Sequence, residues 1–179
     1  MLQTISLLLE NKPGALLRVT GVLAARGYNI ESLTVAKTLD PELSRMTIVV
    51  DVEERLRTQV IKQMNKLINV LHAADMADSP SVIREMVLVR VRCSQETRTA
   101  VLQEAGIFHA RVVDSSVEGF AIEATGDPGK LDEFIDVMRS YGETDVVRSG
   151  ALSMSLEAKK IRLQPPVATP LVVQTIQTI

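Results

Sequence analysis

Ile5, Leu7 and Leu9 alternate with other residues along the first ten positions, so Leu2–Leu9 is expected as a strand. Asn11-Lys-Pro-Gly14 breaks that pattern. From Ala15 to Arg26 the spacing becomes helical, with Leu16, Val19 and Leu23 at i, i+3 and i+7 forming one stripe. Gly27 is placed to end this helix, because it takes φ > 0 without a Cβ clash. Tyr28–Lys37 is β-prone, and Thr38-Leu-Asp-Pro-Glu42 reads as a turn. Met46, Ile48, Val50 and Val52 alternate as a second strand of that pair. Leu56, Val60, Met64 and Leu67 return to helical spacing, and Val70–Met76 closes the unit as a strand.

The order is β-α-β-β-α-β, the split βαβ or ferredoxin-like pattern of the α+β class. It predicts a four-stranded antiparallel sheet with two helices on one face and the other face uncovered within the unit. Asp78-Ser-Pro-Ser81 reads as a linker, after which the pattern recurs. Glu85–Cys93 is expected as a strand and Gln95–Ala105 as a helix stopped by Gly106. Ile107–Val113 and Gly119–Ala124 are expected as strands. Asp127-Pro128 is an N-cap with Pro at N1, followed by the stripe Leu131, Phe134, Ile135 and Met138. Gly142 ends that helix, and Thr144–Leu152 is expected as the last strand. The chain thus divides into residues 1–77, residues 82–158 and a tail, 159–179. The tail carries the cluster Lys159-Lys-Ile-Arg162, then an uncharged stretch with Pro165, Pro166 and Pro170. It reads as a loosely ordered extension, with Leu171-Val-Val173 as a candidate edge strand.

Composition narrows the chemistry. Hydrophobic residues make up 46% of the 179 positions and aromatics only 3%, so the cores are aliphatic and base-stacking platforms are not expected. A formal net charge of −2 gives no field favouring nucleic acid or acidic membranes. The single cysteine, Cys93, excludes an intrachain disulfide and a multi-cysteine zinc site, and its apolar run suggests a buried thiol. The first residues lack a basic leader and no apolar run has membrane-spanning length, so a soluble cytoplasmic protein is expected. His72 and His109 each fall in an expected strand, far apart in sequence, and no residue cluster has metal-ligand or nucleophile spacing. Asp51, Glu53 and Glu54 favour the start of the helix that follows. A catalytic site, a metal and a cofactor of its own are therefore not expected.

The candidate chemistry lies at the turn into the first helix. Helix-start N–H groups and the positive end of the helix dipole suit a small carboxylate. Gly14 lets a ligand approach the backbone, and Asn11 offers both donor and acceptor at the mouth. Asn-x-Pro-Gly is also ordinary turn chemistry, and the residues alone leave both readings open. Asn29 and Ile30 follow Gly27; Asn29 suits either an ammonium ligand or a simple turn cap.

Leu8-Leu-Glu-Asn-x-x-Gly-Ala-Leu16, Arg26-Gly-Tyr-Asn-Ile-Glu-Ser-Leu-Thr-Val-Ala36 and Leu43-Ser-Arg-Met-Thr-Ile48 resemble the small regulatory subunits of acetolactate synthase (acetohydroxyacid synthase). The likeness spans roughly residues 1–160, is densest in the first unit, and leaves the tail unexplained. It implies that residues 1–77 form an ACT domain and residues 82–158 a second ferredoxin-like domain. It further implies a homodimer whose ACT sheets join side by side, with valine or a related branched-chain amino acid at the interface. Asn11, Gly14 and Ala15 would hold the carboxylate. Leu9 and Leu16 would give apolar contact. Asn29 and Ile30 would come from the partner chain, and the small Ala36 would leave room for ligand or dimer. The resemblance also implies docking on a catalytic subunit carrying thiamine diphosphate, Mg²⁺ and FAD, which the chain activates and makes sensitive to feedback inhibition. An alternative is an amino-acid-sensing ACT protein that regulates another enzyme or transcription; the lack of a helix-turn-helix and a basic face weakens the transcriptional version.

Overall fold

Among the described residues, nine strands and four α-helices form two βαββαβ units, the second with an extra strand. The computed structural model describes residues 1–157; the expectations for the tail lie outside them. The first unit comprises β1 (Leu2–Glu10), α1 (Ala15–Ala24), β2 (Asn29–Lys37), β3 (Leu43–Asp51), a 3₁₀ turn at Glu54–Leu56, α2 (Arg57–Met64) and β4 (Val70–Asp75). Its antiparallel sheet has the order β2-β3-β1-β4, which leaves β2 and β4 as edges. Ile5, Leu7, Leu9, Met46 and Ile48 face Val19, Leu23, Val60 and Met64 across an aliphatic core. Leu16 departs from its expected stripe. Ala15 is buried in its place, and Leu16 is 42% exposed because it falls on the open side of the first turn. Gly27, at φ +70, ends α1, with its own N–H bonded to Ala24 O and that of Tyr28 bonded back to Leu23 O. Leu67 lies beyond α2 in the turn that leads to β4.

The second unit comprises β5 (Ser81–Arg92), α3 (Arg98–Ile107), β6 (Arg111–Ser115), β7 (Gly119–Gly126), α4 (Pro128–Tyr141), β8 (Thr144–Arg148) and β9 (Leu152–Ser155). Its strands follow the order β6-β7-β5-β8, and Val87, Val89, Val91, Ile122, Phe134 and Met138 form its core. Asp127 caps α4 as expected, its Oδ1 accepting from Gly129 N–H at 3.0 Å. Two expectations change here. α3 runs through Gly106, and the reversal falls instead on His109 at φ +56, with Ala110 N–H bonded to Ala105 O. Prolonging the helix brings Phe108 against Phe134, with ring centroids 5.3 Å apart. His109 is thus a turn residue and not in a strand, and β6 starts at Arg111. Cys93 is half-buried rather than fully buried, packed against the second core.

The expected last strand, Thr144–Leu152, is broken at Ser149-Gly150. β8 pairs with Val87–Val91 of β5, whereas β9 pairs with Ser81–Arg84 of the same strand. The twelve residues of β5 therefore pair with β9 at the start of the strand and with β8 further along it. β9 also reaches the helix-free face of the first sheet, where Ser153 N–H donates to Thr47 Oγ1 at 3.2 Å and the two hydroxyls lie 3.1 Å apart. That face is consequently covered in part, and Ser6 and Thr47 on it are buried. No helix among the described residues is long and apolar enough to cross a membrane.

Candidate functional site

The turn between β1 and α1 is held from three directions. Asn11 N–H donates to Glu42 O at 2.7 Å and Asn11 Nδ2 to Pro41 O at 2.9 Å, so the β2–β3 turn fixes the asparagine. Asn69 Nδ2 donates to Glu10 Oε2 at 2.7 Å, and Lys12 Nζ bonds Glu10 Oε1 at 2.9 Å. These bonds favour the charged forms. They hold the Glu10 carboxyl below its ordinary value, chiefly through Lys12 and then Asn69, and raise the Lys12 ammonium.

Gly14 sits at φ +83 immediately before α1. No protein atom lies within 4 Å of where its Cβ would be, so the backbone conformation, and not crowding by the protein, calls for glycine there. Among the described residues, the N–H groups of Gly14, Leu16 and Leu17 donate to no protein group, and Asn11 Oδ1 accepts from none. Three donors at a helix start beside a free amide oxygen can receive a carboxylate and an ammonium respectively. Leu16 stands exposed at the mouth, Ala15 is buried under it, and Leu9 is locked into the core below.

The structure does not bring Asn29 and Ile30 to this turn within one chain. Asn29 is opposite Asp51 at the far end of β3, whereas Glu10 is opposite Leu43 at the near end. Eight residue steps of strand separate those ends by roughly 27 Å. Asn29 Nδ2 bonds Glu31 Oε1, and Ile30 packs half-buried on the first core. Ala36, by contrast, is opposite Arg45, near the turn, and lies exposed on the free edge of β2. Pro41 and Glu42, which anchor Asn11, were legible only as a turn and not as part of the site, since they lie 30 or more residues away and engage through backbone oxygens.

Among the described residues no group of three His, Cys, Asp or Glu side chains could hold a metal ion. His72 is half-buried on β4 opposite Leu8.

Residues 5–72 match the family model described as "AHAS small subunit-like ACT domain", and residues 84–157 match "Small subunit of acetolactate synthase". A probable acetolactate synthase small subunit of Archaeoglobus fulgidus is 48% identical over 160 residues, covering 89% of this chain and 100% of that one. The acetolactate synthase small subunit of Mycolicibacterium smegmatis is 44% identical over 152 residues, 85% of this chain and 89% of its own. The crystal structure of the acetolactate synthase small subunit of Thermotoga maritima superposes with a TM-score of 0.75 at 33% identity, covering 87% of this chain and 97% of that one. With a matching ACT unit, a matching second unit and relatives alike over nearly their whole lengths, the chain belongs to the acetolactate synthase small-subunit family.

Proposed function

We propose that the chain activates a catalytic acetolactate synthase subunit and makes it subject to feedback inhibition by valine bound between two copies of its ACT unit. The observation that carries this is the register of the edge strand. Asn29 and Ala36 mark opposite ends of β2, and the Asn11–Gly14 turn lies at the Ala36 end. Antiparallel pairing of two β2 edges about a two-fold axis would set Asn29 and Ile30 of one copy beside Ala36 and the turn of the other. The pocket would then hold a carboxylate at the α1 start, an ammonium at asparagine oxygens, and a branched side chain near Leu16 and Ile30. Thiamine diphosphate, Mg²⁺ and FAD would belong to the catalytic subunit.

Reconstitution tests this reading. Acetolactate formation by a catalytic subunit is measured with and without the chain, while valine, leucine and isoleucine are titrated. The chain should raise the rate, and valine should lower it again. A rate indifferent to the chain would overturn the proposal.

A further inference from the structure

The backbone between β8 and β9 crosses from the second unit onto the middle of β2. Thr34 Oγ1 lies 3.5 Å from Ser149 O, to which it donates. Gly150, buried and at φ +80, approaches so closely that a Cβ there would sit 2.9 Å from Thr34 Oγ1 and 3.5 Å from Ser32 Cβ. On its other side the crossing is fastened to the second unit. Ser149 N–H donates to Met86 O at 3.0 Å, and Met86 N–H donates to Ser149 Oγ at 3.1 Å. The preceding residue, Arg148, donates to both carboxylate oxygens of the buried Glu85, at 3.0 and 2.6 Å, and to Asp132 on α4.

We infer that the Ser149–Ala151 crossing is the contact through which occupancy of the effector site reaches the second unit. The inference rests on the valine-binding reading above. β2 carries Asn29, Ile30 and Ala36, is the edge that the proposed dimer would join to its copy, and has a register shift between Ile30 and Ser32. A strand with a break in its ladder beside the proposed ligand residues is the part of the sheet most readily displaced. Ser32 and Thr34, just beyond that irregularity, are the β2 residues that Gly150 meets. A shift of β2 at Ser32 and Thr34 would bear on this contact and pass to Ser149 and thence to Arg148, β5 and α4. A cleft of about 720 Å³ between the units, bordered by Ser32, Val49, Ile83 and Pro128, leaves the crossing space to move.

The test uses the full chain and valine, with hydrogen exchange read separately over residues 11–17 and 144–155 and affinity read by calorimetry. Wild type should slow exchange in both segments on valine binding. Thr34→Ala, which removes the side chain under Gly150, should keep the valine affinity within about threefold while at least halving the response of 144–155. Gly150→Ala, which forces the contact apart, should do the same, and either variant reconstituted with a catalytic subunit should retain activation but lose most of its valine inhibition. If 144–155 responds in both variants as in wild type, or fails to respond in wild type while 11–17 does, the inference is overturned and the binding reading stands. If calorimetry of wild type shows no valine binding, the binding reading itself falls and the inference with it.

Discussion

Gly14 bears on the proposed ligand binding of the turn, and Glu10 on its stability. Asp visits the left-handed region more readily than most residues, and open space surrounds the Gly14 Cβ position, so Gly14→Asp should fold. Its carboxylate would then oppose the bound one, and valine affinity measured by calorimetry should fall at least tenfold, about 1.4 kcal/mol. Gly14→Asn, of similar shape without charge, should lose less; equal affinities for both variants and wild type would remove the turn from the site. Glu10 predicts a pH effect. Because Lys12 and Asn69 hold its carboxyl below the ordinary value of 4.5, its contribution is complete above that pH and fades as pH falls through the lowered folded value. Urea midpoints of Glu10→Gln should therefore fall less steeply below pH 4.5 than those of wild type. Asp75 is the contrasting case. It is 4% exposed and accepts from Arg57 Nη2 and Gln3 Nε2, both at 2.7 Å. Arg57→Met should cost about 3 kcal/mol in urea unfolding, since it strands a buried carboxylate.

Helices α1 and α3 end in the same geometry on different residues. In each, the residue after the one at positive φ donates its N–H back five positions: Tyr28, after Gly27, to Leu23 O, and Ala110, after His109, to Ala105 O. Gly27 made the first end legible in the sequence. The second was not, because the left-handed position is filled by His109 while the glycine three residues earlier lies inside the helix. His109→Gly should relieve that backbone strain and stabilise by roughly 0.5–1 kcal/mol, read as a higher urea midpoint. The sheet strands of the first unit could be read from their alternation because the core face is aliphatic while the other, covered in part by β9, carries Ser6 and Thr47. Thr144–Leu152 failed that reading. Its apolar residues are split between two sheets, and the break is made by a long-range contact of Gly150 with β2 that local periodicity does not record. Half of the candidate site was legible for the same kind of reason. Asn11–Gly14 is local turn chemistry, whereas the Pro41 and Glu42 anchors depend on tertiary pairing.

At the scale of the molecule, the separation of Asn11 from Asn29 would make the proposed site a property of two chains. Valine affinity should consequently weaken on dilution in step with dimer dissociation, with sedimentation and calorimetry following the same concentration dependence. Affinity independent of dimer population would place the pocket within one chain. The reach of β9 onto the first sheet has a further consequence, for synthesis. Thr47 waits for Ser153, which is 106 residues further along the chain, before the helix-free face of the first sheet is covered. At typical elongation rates that is roughly 5–20 s, during which a nascent first unit stands on the ribosome with one side of its sheet bare. The last described strand thus fixes when the growing chain stops presenting that face to other molecules.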